Sequence, residues 1–325
     1  MRFDVDAGYL TYARSAFAKI QGLVCAPIHV KLDNLNPCGS IKLVPAIQLI
    51  EDLERSGKLG PDSTVIESSS GNLGIALSAV CANKGYRFVC VTDPNTSPHS
   101  LGLMKAFGAE VKMVRDRDTA GGFLVTCINL IKTLCAADPS LVWVNQYANK
   151  SNWMAHYNYT AREIADRFEK IDWLFIGVGT TGTLMGCARY FRKHRPQTKI
   201  VAVDSTGSVT FGGAAGPRHI PGLGTSRRPE IADERLVDHV HQVDEAAAVS
   251  MCRSIARGGL LVGGSTGSVL CGIHDYGARI EPGDVVVTIS PDLGDKYLTT
   301  IYNDEWTQAR FGLQVREPNE VESAL

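Results

Sequence analysis

No apolar run in this 325-residue chain reaches the roughly 20 residues that a membrane span needs, so no membrane partner is expected. Neither sign of charge prevails. Lys and Arg number 33 against 34 Asp and Glu, a net charge of −1, without the basic footprint that nucleic acid or anionic lipid requires. The nine cysteines form no C-x-x-C pair and no zinc spacing, and most sit inside apolar segments. Reduced core thiols in a cytoplasm fit this usage. Met1–Asp6 is acidic and has no signal-peptide apolar region. Histidine clusters only at His239-Val240-His241, where alternate residues of a strand share a face but further ligands are wanting, so no metal is expected.

What remains is a chain rich enough in apolar residues, 44% against 21% charged, to bury a sizeable core. Strands and helices alternate along it. Strands are expected at residues 28–32, 63–67, 87–92, 110–114, 143–144, 173–176, 200–203 and 285–289. Helices are expected at 8–24, 71–84, 97–107, 122–135, 152–168, 183–194, 244–257 and 267–279, with another after Lys42. Continuous apolar strands separated by helices indicate parallel sheets covered on both faces. The strands are too many for one sheet, which predicts two α/β domains with a boundary near 145–152. Residues 205–228, rich in Gly, Ser, Thr and Pro, read as a long functional loop.

Four segments bear chemistry. Asn36-Pro37-Cys38-Gly39-Ser40-Ile41-Lys42 breaks the backbone and then delivers a lysine to a helix start, where burial lowers an amine pKa. Glu67-Ser68-Ser69-Ser70-Gly71-Asn72 offers hydroxyls and N–H groups at a positive helix end, either for a carboxylate or simply as an N-cap. Gly177-Val178-Gly179-Thr180-Thr181-Gly182-Thr183 is a nest for a phosphate. It also fits G-x-G-x-x-G, with Asp204 ending the next strand, so a nicotinamide-dependent oxidoreductase is an alternative. Gly258-Gly259-Leu260-Leu261-Val262-Gly263-Gly264-Ser265-Thr266-Gly267-Ser268 places a neutral hydroxyl, Ser265, at a tightly packed helix start, or is simply a tight strand-to-helix turn.

Together these segments resemble the fold-type II pyridoxal-phosphate enzymes, the cysteine synthase and cystathionine β-synthase family. Asn36–Lys42 is similar to that family's N-P-x-G-S-x-K, with Cys38 where Gly is usual and Leu43-Val44 in place of Asp-Arg. The resemblance implies that Lys42 is catalytic and holds pyridoxal 5'-phosphate. Asn72 would bond the cofactor's phenolic oxygen, Gly179–Thr183 (Gly179, Thr180, Thr181, Gly182, Thr183) its phosphate, and Ser265 its ring nitrogen. Ser68, Ser69, Ser70, Gly71 and Gln146 would receive the amino-acid substrate. The implied fold is the two-domain, parallel-rich, tryptophan synthase β-like one: residues 36–145 a smaller mobile domain, 8–35 with 146–325 the larger cofactor-phosphate domain, in a cytoplasmic homodimer.

The likeness is greatest to β-replacement enzymes that join O-phospho-L-serine to L-glutamate en route to 2,3-diaminopropionate in siderophores or peptide antibiotics. Cysteine synthesis from sulfide is the near alternative, since the cofactor site would be the same. A hydroxyl at the ring nitrogen makes a weaker electron sink than a carboxylate and so favours β-elimination over transamination. Arg227, beyond Pro221–Ser226, would fork onto a phosphoryl or carboxylate group, or else pair only with Glu230.

Overall fold

The computed structural model describes residues 16–118 and 122–313. Its strands fall into two sheets. The six-stranded sheet holds, in spatial order, β1 (Phe17–Ile20), β2 (Ile28–Leu32), β10 (Val286–Ser290), β7 (Trp173–Gly177), β8 (Lys199–Ser205) and β9 (His239–Val243). All neighbours are parallel except β1 on β2. The second sheet is wholly parallel: β5 (Glu110–Met113), β4 (Arg87–Thr92), β3 (Thr64–Ser68) and β6 (Leu141–Trp143).

The period-2 alternation of side chains sorts each strand onto two buried faces. Trp173 and Phe175 enter one core with Val201, Val203 and helix α9 (Gly264–Asp275). Leu174 and Ile176 enter the opposite core, against α6 (Thr160–Arg167) and α7 (Gly182–His194). In the smaller sheet Val65 and Phe88 face α1 (Leu43–Arg55) and α2 (Asn72–Lys84). Ile66, Val89 and Val91 face α4 (Leu124–Ala137). Double coverage explains why the strands read as unbroken apolar runs.

Three expectations change. The helix expected over 8–24 is replaced at Phe17–Ile20 by β1, antiparallel to β2; residues 8–15 lie outside the described residues. The free edge of β2 recruits the segment, and Phe17 packs edge-on against Phe168 with ring centroids 5.3 Å apart. The single helix over 152–168 is two, α5 (Ser151–Asn158) and α6, broken at Tyr159 (φ −117°, ψ −72°). Across the break the Thr160 hydroxyl meets His156 Nδ1 at 3.0 Å. The helix expected over 267–279 starts earlier, at Gly264, and a separate 3₁₀ turn, Gly277–Arg279, follows it.

Helices α5 and α7 touch through a missing side chain. A Cβ on Gly186 would lie 2.6 Å from His156 Cβ and collide with the Trp153 carbonyl oxygen. Helix propensity alone says Gly186→Ala should stabilise by about 1 kcal/mol. A backbone carbonyl cannot yield as a flexible side chain can, so overpacking should win and the variant should lose about 1–3 kcal/mol. Urea midpoints decide it: a higher midpoint for Gly186→Ala would mean the helices are not in close contact.

Candidate active site

Parallel strands place their ligand loops beyond their carboxyl ends, and here β2, β3, β7 and β10 all end at one cleft. Lys42, Asn72, the Gly179–Thr183 loop and Ser265 line it together, with Pro221–Leu223 and Asp292. Residues from segments over two hundred positions apart therefore share one wall, as the sequence pattern predicts.

Lys42 sits at the N-cap of α1. Burial lowers its ammonium pKa to about 8, against the opposing pull of Asp292. Asp292 follows β10 and is 2% exposed. Its Oδ2 accepts from Asn72 Nδ2 at 2.7 Å and from the Tyr297 hydroxyl at 2.6 Å, while Oδ1 is buried without a partner. Burial raises the pKa of this carboxyl.

The loop after β7 is shaped as a cradle. A Cβ on Gly179 would meet the Gly222 carbonyl oxygen at 2.6 Å, and one on Gly182 would meet Asn152 Cγ at 2.6 Å. Thr181 adopts φ 67°, a left-handed conformation that costs a non-glycine residue roughly 1–2 kcal/mol. Its hydroxyl is buried and unpaired. A strained threonine with an orphaned donor at the N-terminus of a 13-residue helix fits a phosphate dianion, which takes both the hydroxyl and the free N–H groups. Behind the cradle Asn152 donates to the Gln146 carbonyl at 2.8 Å and to Thr180 Oγ1 at 3.2 Å. His156 Nε2 lies 3.3 Å from Thr183 Oγ1; burial, with Lys42 and Lys31 nearby, holds its pKa well below the ordinary 6.5.

The remaining expected residues stand just outside the cleft lining. Ser69 Oγ accepts from the N–H groups of Gly74 at 2.9 Å and Gly71 at 3.3 Å, so it caps the start of α2. Ser68 is buried, its carbonyl accepting from Gln146 Nε2 at 3.2 Å. Ser70 is exposed beside Gly71. Arg227 is on the surface, paired with Glu230, the partner the sequence offered as its alternative. Ser265, by contrast, lines the cleft from the first turn of α9 and is 7% exposed.

Sequence reasoning missed the polar residues behind this lining. Glu67 is fully enclosed and accepts from Ser68 N at 2.7 Å, Gln146 N at 3.0 Å and Trp143 Nε1 at 3.3 Å. Burial raises its pKa to about 7, against those hydrogen bonds. Asn152 and His156 lie on the buried side of α5, and Asp292, Lys296 and Tyr297 follow β10. For Asp292 the available signal was its position just past a strand's carboxyl end; the buried side of α5 is Ser151, Asn152, Ala155 and His156, with no apolar stripe against which Asn152 and His156 stand out.

The sequence pattern of the family described as "Pyridoxal-phosphate dependent enzyme" matches residues 13–292. The chain is 43% identical over 283 residues to N-(2-amino-2-carboxyethyl)-L-glutamate synthase of Ralstonia nicotianae, covering 86% of this chain and 84% of that protein. Among solved structures it is similar to O-ureido-L-serine synthase, with TM-score 0.83 and 29% identity over 93% of this chain and 95% of that one. It is also similar to the O-acetylserine dependent cystathionine β-synthase of Helicobacter pylori, with TM-score 0.84 and 29% identity over 92% and 99% of the two chains.

The lowered Lys42 pKa has a sign that can be checked in the apo protein. Between about 8 and the ordinary 10.5 the unfolded chain binds a proton that the folded one has released, so wild-type stability rises with pH there. Below pH 8 folding buries the charge at a cost. Lys42→Met should therefore be more stable than wild type at pH 7, with the gap shrinking by pH 10. Urea midpoints at both values test this, and a gap independent of pH would mean the amine is not desolvated.

Proposed function

The chain belongs to the pyridoxal-phosphate dependent enzymes, and from that premise we propose that it replaces the β-phosphate of O-phospho-L-serine with the amine of L-glutamate. The products are N-(2-amino-2-carboxyethyl)-L-glutamate and phosphate, supplying 2,3-diaminopropionate for siderophore or peptide-antibiotic synthesis, in a cytoplasmic homodimer. The observation that carries the reading is the convergence of Lys42, Asn72, the threonine cradle and Ser265 on one cleft, in a chain 43% identical to a synthase named for this product. Among the described residues no helix is long and apolar enough to cross a membrane.

Pyridoxal phosphate, when bound, supplies an electron sink for the charge left as Cα–H is lost. Lys42 would hold it covalently, Thr181, Gly182 and Thr183 its phosphate, Asn72 its ring oxygen and Ser265 its ring nitrogen. Once its amine is free, Lys42 serves as the base that takes the substrate's Cα proton. With a pKa of about 8, roughly a tenth of that amine is unprotonated at pH 7, far more than for a solvated lysine. In the Ser68–Gly71 segment the N–H groups of Ser68, Ser69 and Gly71 are engaged within the protein, so the substrate carboxylate would be received chiefly by exposed Ser70, at the positive start of α2. The Ser265 hydroxyl offers the ring nitrogen no anionic partner, which suits prompt expulsion of a leaving group over long-lived charge.

Cysteine synthesis from sulfide, which needs no side-chain cation, is the second reading, and the pairing of Arg227 with Glu230 favours it. If Arg227 serves a substrate anion it must exchange Glu230 for it. Arg227→Ala should then raise KM for one of the two substrates about thirtyfold or more, a loss on the order of 2–4 kcal/mol in kcat/KM, and Glu230→Gln should lower the same KM. Unchanged KM values for O-phosphoserine and glutamate in both variants would make Arg227 a scaffold residue.

The reaction itself is tested by mass and colour. Purified protein should be yellow, and Lys42→Ala should lose both the visible band and nearly all turnover. O-Phosphoserine with glutamate should release phosphate and form the secondary amine. Much faster consumption of sulfide than of glutamate would make the enzyme a cysteine synthase.

A further inference from the structure

Lys296 belongs to the 3₁₀ turn Gly294–Tyr297 that follows β10. Its ammonium donates to Asn72 Oδ1 at 2.8 Å, to the Gly39 carbonyl at 2.9 Å and to the Cys38 carbonyl at 3.4 Å. An ammonium has three N–H groups and no acceptor, and here all three are spent. They join the end of the six-stranded sheet, the turn that delivers Lys42, and the first residue of α2 on the four-stranded sheet.

The contact with Asn72 has a chemical consequence. An asparagine amide can be turned either way, and its orientation is fixed only by its partners. Lys296 can only donate, so the atom facing it is Oδ1. That turns Nδ2 to the other side, where one of its hydrogens goes to Asp292 Oδ2 at 2.7 Å. The carboxyl is itself steadied by the Tyr297 hydroxyl at 2.6 Å. The second Nδ2 hydrogen is left for the cleft that Asn72 lines. A cation on the amide oxygen also polarises the amide and strengthens its N–H as a donor.

We infer that Lys296 is a positioning residue of the cofactor site: it orients the Asn72 amide so that an N–H faces the cofactor's ring oxygen, and it pins the Cys38–Gly39 turn that places Lys42. The inference rests on the cofactor reading and not on the choice of substrates. It gives Lys296 a role separate from Asp292, which accepts the other side of the same amide.

The test uses the holoenzyme and reads the visible band and cofactor dissociation, alongside kinetics. Lys296→Met should redistribute the visible band of the resting enzyme and weaken pyridoxal-phosphate binding about tenfold. Lys296→Arg, which keeps the charged donors, should restore most of both. In an Asn72→Ala background Lys296→Met should weaken cofactor binding severalfold less than it does in the wild type, because the amide partner is already gone and only the Cys38–Gly39 contacts remain to be lost. A normal band and normal cofactor affinity in Lys296→Met would overturn the inference even if melting temperature fell, since a merely structural role lowers stability without touching the spectrum. Full additivity with Asn72→Ala would overturn the route through the amide. Should Lys296→Met not fold, Lys296→Gln provides the same comparison with an uncharged donor. Wild-type protein that remains colourless after incubation with pyridoxal phosphate sinks the cofactor site itself, whereas yellow protein that forms no secondary amine sinks only the proposed substrates.

Discussion

To act as the proposed base, Lys42 would have to be desolvated enough to lose a proton near neutral pH, yet remain close enough to ligand to use it. The structure places the lysine at the N-cap of α1, between the ends of two sheets, with the Asp292 carboxyl near it. Asp292 pulls the other way, and desolvation of the amine is the larger effect, so its pKa settles at about 8.

The same logic extends around the cleft. His156 is held toward its neutral form by burial, Tyr297 far above its ordinary 10, and Glu67 up at about 7. Each of these shifts favours the neutral form. In the proposed role, the ligand's anions would be met by backbone N–H groups at the start of α7 and by the unpaired Thr181 hydroxyl. Fixed dipoles cost no reorganisation when a dianion enters, which a mobile surface arginine would. Arg227, half-exposed and paired within its own turn, is a different kind of group from the cradle.

Much of this was legible in the sequence because each device leaves a local mark. A strand, then Gly179, Thr180, Thr181 and Gly182, then a helix spells a cradle in adjacent residues. So does the Asn36–Lys42 turn. Double coverage of the sheets was written in continuous apolar strands such as Trp173–Ile176. What was not legible is non-local. β1 exists because β2 has a free edge, which no periodicity over residues 8–24 reveals. The break at Tyr159 separates two helices whose buried positions continue at helical spacing from one to the next. Asp292 and Lys296 are unremarkable in their own neighbourhood and acquire meaning only beside Asn72, over two hundred residues away.

That distance bears on how the two halves would move. If residues 36–145 shift as a smaller domain, Asn72 moves with them while Asp292 and Lys296 remain with the six-stranded sheet. Four hydrogen bonds cross this boundary at one amide and one turn, and Gln146 with Asn152 spans it at another point, through Ser68 and Thr180. A rotation that kept both sets intact would have to pivot close to them, leaving the far edge at β5 to travel most. Such a motion opens the mouth of the cleft without disturbing the residues at its floor. Substrate exchange and a fixed cofactor geometry are then compatible, because the hydrogen bonds that orient Asn72 and Lys42 lie next to the axis.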